Sequence, residues 1–460
     1  MSETYIKRVE LKGIHKRYDL DITFNESLNV LHGQNGTGKS TLIHIIANVA
    51  NCDFIRFAFL DFYEIRVSYS NDASIVITQC DKDNDKLITV ETQTGESFEF
   101  SKREALEGIR ELDEDRFSRE YTPELTMKIN DFIKSNNLRH IETSYFPAFR
   151  TMLEAWSSQR QREVRNRHPK MMNSMATKQA TSFSRQLFGQ FLPTINYPSP
   201  IDIERNLRDE IRDCQISIAR YESSVFSDSF VKVFSALLDG SNVEANTEEL
   251  LSEISQLTTD STNSKLGDFE ENSNTYRDLQ RLVTRSSKIS DLASSAAGAL
   301  SVYRDALKER QLFQQKAFKE VDKYFEVVNS FLDKKELSYA LDKNRRTPKV
   351  GLKFPDDSWS SIKVMSSGER QLLTMLYAVN KMSGNSAVLI DEPELSLHID
   401  WQEELLGKMM EQLGSRQIIV CTHSPAIASD FDQYMKEVIP VFNDISSSER
   451  EDLEDEEELF

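Results

Sequence analysis

Gly33-Gln34-Asn35-Gly36-Thr37-Gly38-Lys39-Ser40 has the spelling GxxxxGK[ST] of a phosphate-binding loop. Each residue type in it has a chemical task. The glycines let successive backbone N–H groups turn toward phosphate oxygens, and a helix starting behind the loop adds the positive end of its dipole. Lys39 has the reach for β- and γ-phosphates, the Ser40 hydroxyl is a ligand for Mg²⁺, and Thr41 opens the helix, so residues 33–41 are the candidate nucleotide contacts. Far along the chain, Asp391-Glu392-Pro393 ends the apolar run Ala387-Val-Leu-Ile. A buried strand there would deliver Asp391 to the Mg²⁺ shell, while Glu392 is a candidate general base, which must act within about 3 Å of the attacking water. An Asp-Glu pair after an apolar strand is common by itself; its weight comes from the loop.

The elements around these residues suit that task. Strands are expected at 5–11, 20–24 and 27–31, the last leading into the loop and a helix over 41–49, with alternating strand runs at 64–69 and 74–78. From 151 to 339 the pattern turns helical. Ile203, Leu207, Ile211, Cys214, Ile218, Tyr221 and Val225 form one apolar stripe, and Leu292, Ala296, Leu300, Tyr303, Leu307, Phe318, Val321, Phe325 and Val328 a second. A polar Ser/Thr/Asn-rich stretch, 240–276, lies between them with a short helix at 248–256. Two long helices that return on each other make either a projecting arm or a helical domain packed on the head. Strand character resumes at 348–354, and Ala387–Ile390 and Gln417–Cys421 read as parallel strands covered on both faces. The expected organisation is an α/β head with lobes 1–150 and 340–445, a helical insertion 151–339 and an acidic tail 446–460.

Composition bounds the rest. The 460 residues carry a formal charge of −19 and no apolar run of the roughly 20 residues a membrane helix needs. There is no signal-peptide pattern, and Cys52, Cys80, Cys214 and Cys421 lack CxxC spacing, as expected for a reducing cytoplasm without structural zinc. The tail, with Glu451, Asp452, Glu454, Asp455, Glu456, Glu457 and Glu458, is either a solvated end or a segment that occupies a basic surface on a partner. Net acidity makes any DNA contact local. Arg160, Arg162, Arg165, Arg167, Lys170, Lys178 and Arg185 share one segment with a single acid, Glu163, and are either that contact or a solvated face.

Met365-Ser366-Ser367-Gly368-Glu369-Arg370-Gln371 resembles the LSGGQ signature of ABC-type ATPases, with Ser366 and Gly368 in the expected places and Ser367 where glycine is usual. Cys421-Thr422-His423-Ser424-Pro425 resembles the same superfamily's histidine segment. The resemblance implies ATP with Mg²⁺ as the bound species, His423 as a contact to the γ-phosphate, and Ser366 and Gly368 as caps on the ATP of an opposite copy. A homo-oligomer of at least two heads follows. The separation of some 320 residues between loop and signature fits the chromosome-associated and defence branches rather than transporter subunits. Asp391-Glu-Pro-Glu-Leu-Ser-Leu-His, Thr422-His-Ser-Pro and Tyr145-Phe-Pro-Ala-Phe-Arg150 are most similar to ATPases related to the overcoming-lysogenization-defect nucleases. Arg150 then faces the nucleotide or the hinge of the insertion, or is an ordinary structural arginine. With about 35 residues after Pro425, no Toprim nuclease domain is expected in the chain, as in two-gene anti-phage systems such as PARIS and Septu. Such systems imply a separately encoded nuclease effector and a phage-encoded trigger. The alternative is a repair or chromosome ATPase of RecF type.

Overall fold

The computed structural model describes residues 4–82, 84–114, 124–150, 152–153, 169–238, 247–262, 294–342, 347–381, 386–412 and 416–443. The chain divides into two compact units, Met1–Ser199 with Ser366–Phe460, and Pro200–Met365. Residues 151–199 therefore fall in the first unit and 340–365 in the second.

The first unit begins with strands β1 (Ile6–Ile14), β2 (Tyr18–Thr23) and β3 (Leu28–His32) and helix α1 (Lys39–Ala50). Strands β4 (Glu64–Tyr69), β5 (Ser74–Lys82), β6 (Asp85–Thr92) and β7 (Ser97–Ser101) follow, then helices α2 (Lys102–Glu114) and α3 (Glu124–Ser135), strand β8 (Glu142–Phe146) and helix α4 (Pro169–Phe188). In the second unit come α5 (Pro200–Leu238), α6 (Thr247–Thr262), α7 (Ser294–Phe331), β9 (Glu336–Asp342), β10 (Thr347–Lys353) and β11 (Trp359–Ser360). The first unit is completed by α8 (Ser367–Lys381), β12 (Ser386–Asp391), α9 (Ile399–Gln412), β13 (Gln417–Cys421), β14 (Met435–Glu437) and β15 (Val441–Phe442).

Two sheets organise the first unit. Strands β14-β3-β13-β12-β8 form a parallel sheet, and β15-β2-β1-β4-β5-β6-β7 an antiparallel one. Their sequences differ for a physical reason. Ala387, Val388, Leu389 and Ile390 of β12 are fully buried and every residue of β13 is buried, because a parallel sheet is covered on both faces. Strand β4 instead alternates buried and half-buried positions, with Ile65, Val67 and Tyr69 inward, as one covered face requires. Helix α1 sends Leu42, Ile43, Ile45, Ile46 and Val49 into a core shared with β1, β4, β5 and β6.

In the second unit α5 and α7 run antiparallel. Cys214 pairs with the Ala317 carbonyl, Tyr221 with Glu309 and Phe313, and Glu222 with Arg310, so one number rises as the other falls. The expected stripes line this contact. Ile203, Leu207, Ile211 and Val225 are buried, as are Leu307, Phe318, Val321, Phe325 and Val328, while Leu292 and the Ala296 side chain lie outside the described residues. Helix α6 joins them through Ile254, which packs on Leu307. A three-stranded sheet, β11-β10-β9, belongs to the same unit.

Candidate functional site

Strands β3, β13 and β12 lie side by side and parallel, and parallel sheets gather ligand-binding loops beyond their C-terminal ends. Here register makes that literal: Cys421 pairs with Leu31 on one side and Asp391 on the other. Everything that leaves these strands leaves from one row. The Thr422 N–H donates to the Leu31 carbonyl at 3.1 Å and the Glu392 N–H to the Cys421 carbonyl at 2.8 Å, so the row continues past the strand ends.

Residues 33–38 connect β3 to α1. Gly38 has φ +86°, and a Cβ on it would run into the Tyr18 hydroxyl, so only glycine fits. The Tyr18 hydroxyl also bonds Thr41, while Thr37 Oγ1 donates to the Gln34 carbonyl at 3.0 Å. Gln34, Asn35, Gly36 and Ser40 are exposed. Lys39 is 6% exposed, and its Nζ donates to the Gly33 and Gln34 carbonyls at 2.9 and 2.8 Å. Burial lowers its pKa, against the pull of Cys421, Asp391 and Glu392. Its ammonium closes the loop on itself.

Asp391 is also buried, and burial, with Glu392 adding to it, raises its carboxyl to about 6 even though the Ser40 hydroxyl and Arg150 oppose the rise. A carboxylate that water no longer stabilises, bonded to the hydroxyl of the loop serine, fits a divalent cation at this point; Mg²⁺ characteristically takes one or two protein groups and completes its shell with phosphate and water. Glu392 is half-buried with φ 50°, a left-handed backbone that costs a non-glycine residue about 1–3 kcal/mol and collects at functional sites.

Arg150 explains how that conformation is held. It is 1% exposed, and its Nη1 donates to the Pro147 and Asp391 carbonyls at 3.2 and 3.0 Å while Nη2 donates to Glu392 and Pro393 at 2.9 and 3.0 Å. The guanidinium thus clamps the main chain of the acidic turn. Of the readings open for Arg150, the structural one is realised, at the core of the site. A feature that the sequence did not signal is His44 on α1, whose Nε2 shares a hydrogen bond with the Tyr145 hydroxyl at 2.7 Å. Burial lowers the imidazole to about 4 and raises Tyr145 well above its ordinary value, so both groups are neutral in this bond.

His423 is exposed on the segment that follows β13. Ser366 and Gly368 lie elsewhere, at the start of α8. Ser366 Oγ accepts from the Glu369 N–H at 3.3 Å and Glu369 Oε2 from the Ser366 N–H at 2.7 Å, a capping box. A Cβ on Gly368 would sit 2.5 Å from the Ser396 carbonyl, so the helix start is pressed against the segment after Asp391-Glu392. Among the described residues no hydrogen bond joins Ser366 or Gly368 to the loop of their own chain.

The basic segment needs one correction. Arg185 is 9% exposed; it pairs with Asp53 at 3.0 Å and donates from Nε to the Leu192 carbonyl at 2.8 Å, so it fastens α4 and is no part of a basic surface. Arg160, Arg162, Arg165 and Arg167, the side chains of Lys170 and Lys178, and the tail 446–460 lie outside the described residues.

With this geometry the chain was compared with known proteins. The sequence profile of the family described as AAA ATPase domain matches residues 5–428. A curated relative, the Retron Ec83 probable ATPase of Escherichia coli, is 31% identical over 84 residues, 16% of this chain and 16% of that protein, so the alignment spans a small part of each. Among solved structures, the Smc head domain with an extended coiled coil bound to the C-terminal domain of ScpA, from Pyrococcus furiosus, aligns with TM-score 0.40 at 14% identity over 98% of this chain and 99% of that one. The Smc head domain with a coiled coil and joint from Pyrococcus yayanosii aligns with TM-score 0.33 at 15% identity over 99% and 100%.

Proposed function

Because the chain belongs to the AAA ATPase domain family, we propose that its ATP is held on residues 33–41 and hydrolysed by Glu392, with a second copy of the chain closing the site. The observation that carries this reading is the paired row Leu31, Cys421 and Asp391, which collects the loop, both acids and the histidine segment at one sheet edge. Ser40 and Asp391 would hold Mg²⁺, which would supply charge neutralisation at the phosphates. Glu392 takes a proton from water as its oxygen bonds to the γ-phosphorus and the bond to the bridging oxygen breaks, giving ADP and phosphate. Lys39 exchanges the Gly33 and Gln34 carbonyls for phosphate oxygens, and His423 contacts the γ-phosphate. Ser366 and Gly368 act on the nucleotide of the opposite copy, a role supported by their helix-capping position away from their own loop.

The biological reading is anti-phage defence: an AriA-like subunit of a PARIS-type pair that sequesters a Toprim-type nuclease and releases it when a phage protein is sensed. Its support is the motif resemblance around Asp391, Thr422 and Arg150, together with the similarity to a retron ATPase. The test is purification from the native host at low expression in ATP, with mass spectrometry of what stays bound. A small nuclease at stoichiometric level is the expected result. A chain that comes down alone, and whose hydrolysis rises on adding DNA, would replace this reading by a RecF-like repair ATPase.

A further inference from the structure

Glu394 lies two residues beyond Glu392, half-buried, and one oxygen of its carboxylate serves three donors. Oε1 accepts from Thr422 Oγ1 at 2.9 Å, from the His423 N–H at 2.8 Å and from the Ser424 N–H at 3.1 Å. The donors belong to consecutive residues, so this oxygen fixes the backbone from which the His423 imidazole projects. The segment is braced again from α9: Ser424 Oγ donates to Gln402 Oε1 at 2.7 Å, and Gln402 Nε2 donates to the Leu397 carbonyl at 3.0 Å. On the far side of the turn Arg150 holds the carbonyls of Asp391, Glu392 and Pro393. The candidate base and the candidate γ-phosphate contact therefore share one continuously bonded piece of backbone, and the Glu394 carboxylate is its joint.

We propose that Glu394 is a positioning residue for hydrolysis, which sets His423 against Glu392 and acts through His423 alone. This rests on the assignment of His423 to the γ-phosphate made above. Misplacing a catalytic contact by an ångström costs roughly a hundredfold in rate, whereas loss of a remote brace leaves ground-state binding intact.

The test is a double-mutant cycle on the full chain, reading kcat, KM for Mg-ATP and Tm. Glu394→Ala is expected to lower kcat by roughly tenfold to a hundredfold with KM within about twofold. Glu394→Gln, which keeps an acceptor at Oε1, is expected to recover most of that rate. The Glu394→Ala, His423→Ala double variant should be no slower than His423→Ala within about twofold, because residues that act as one unit are not additive. If Tm shows that Glu394→Ala is unfolded, Glu394→Asp, a methylene too short to reach the three donors together, takes its place in the cycle. Losses that multiply, or Glu394→Ala (or Glu394→Asp in its place) at the wild-type rate beside a slow His423→Ala, overturn this inference and leave the site assignment standing. His423→Ala at the wild-type rate overturns both.

Discussion

Arg150 directs a buried guanidinium at main-chain carbonyls that side-chain chemistry never sees, and so fixes where the Asp391 and Glu392 side chains begin. Arg150→Ala strands those buried acceptors; unfolding in urea should show a loss of about 3 kcal/mol or more, with ATP hydrolysis falling as the left-handed turn at Glu392 relaxes. Lysine at 150 should recover little, since the planar fork is what bridges several carbonyls. His44 gives a pH signature. Its folded-state pKa of about 4 lies below its ordinary value, so the neutral form is favoured by folding; that stability is complete above the unfolded pKa near 6.5 and is lost as pH falls toward 4. His44→Gln keeps an acceptor for Tyr145 and removes the titration. Between pH 6.5 and 4 urea unfolding should show the variant losing up to about 3 kcal/mol less than wild type. At this scale the sequence was legible where a motif is spelled locally, as at Lys39, Ser40 and Asp391, which the fold brings together. Arg150 was named only through the resemblance, and its hold on the acidic turn was not legible, because the carbonyls of Asp391 to Pro393 lie 241 to 243 residues away and no spacing rule links them.

The helical stripes were legible because burial in a long helix pair repeats with the helix period, and Ile203, Leu207 and Ile211 are fully buried as that period requires. Helices α2 and α3 were missed, in a lobe read as β-rich with one strong helix. Their apolar faces are short, Ala105 and Ile109 in the one and Ile129 and Ile133 in the other. A signal existed for α2: Ser101 and Glu104 form a capping box with bonds of 3.1 and 2.7 Å, the arrangement that Ser366 and Glu369 repeat at α8. The strand expected at 348–354, which is β10, was assigned to the head, yet it clusters with the helical unit, a grouping that only long-range contacts decide. The α5 and α7 pair holds a buried ion pair, Glu222 with Arg310, at 9% and 4% side-chain exposure. Removing one partner leaves the other charged and buried, so Glu222→Ala should cost about 3–5 kcal/mol and lower the melting of the helical unit, read by circular dichroism. Gly368→Ala drives a Cβ against the rigid Ser396 carbonyl and should cost about 1–3 kcal/mol in thermal unfolding.

For the whole molecule, the decisive feature is that one chain carries a loop for phosphates and, on a separate helix start, the signature-like residues Ser366 and Gly368. The account makes ATP the bridge between the loop of one copy and that helix start of another. Among the described residues no helix is long and apolar enough to cross a membrane. The proposed pairing rests on the resemblance of the signature, since a closed interface between copies leaves no periodic mark in either sequence. The most direct measurement is the sedimentation of Glu392→Gln in Mg-ATP and in Mg-ADP, with the same variant carrying Ser366→Arg alongside. The account predicts that Glu392→Gln doubles its assembly mass in ATP, stays unshifted in ADP, and loses the shift when Ser366 is replaced. An assembly mass that ATP leaves unchanged, in a variant that still binds it, would contradict a nucleotide held between two copies.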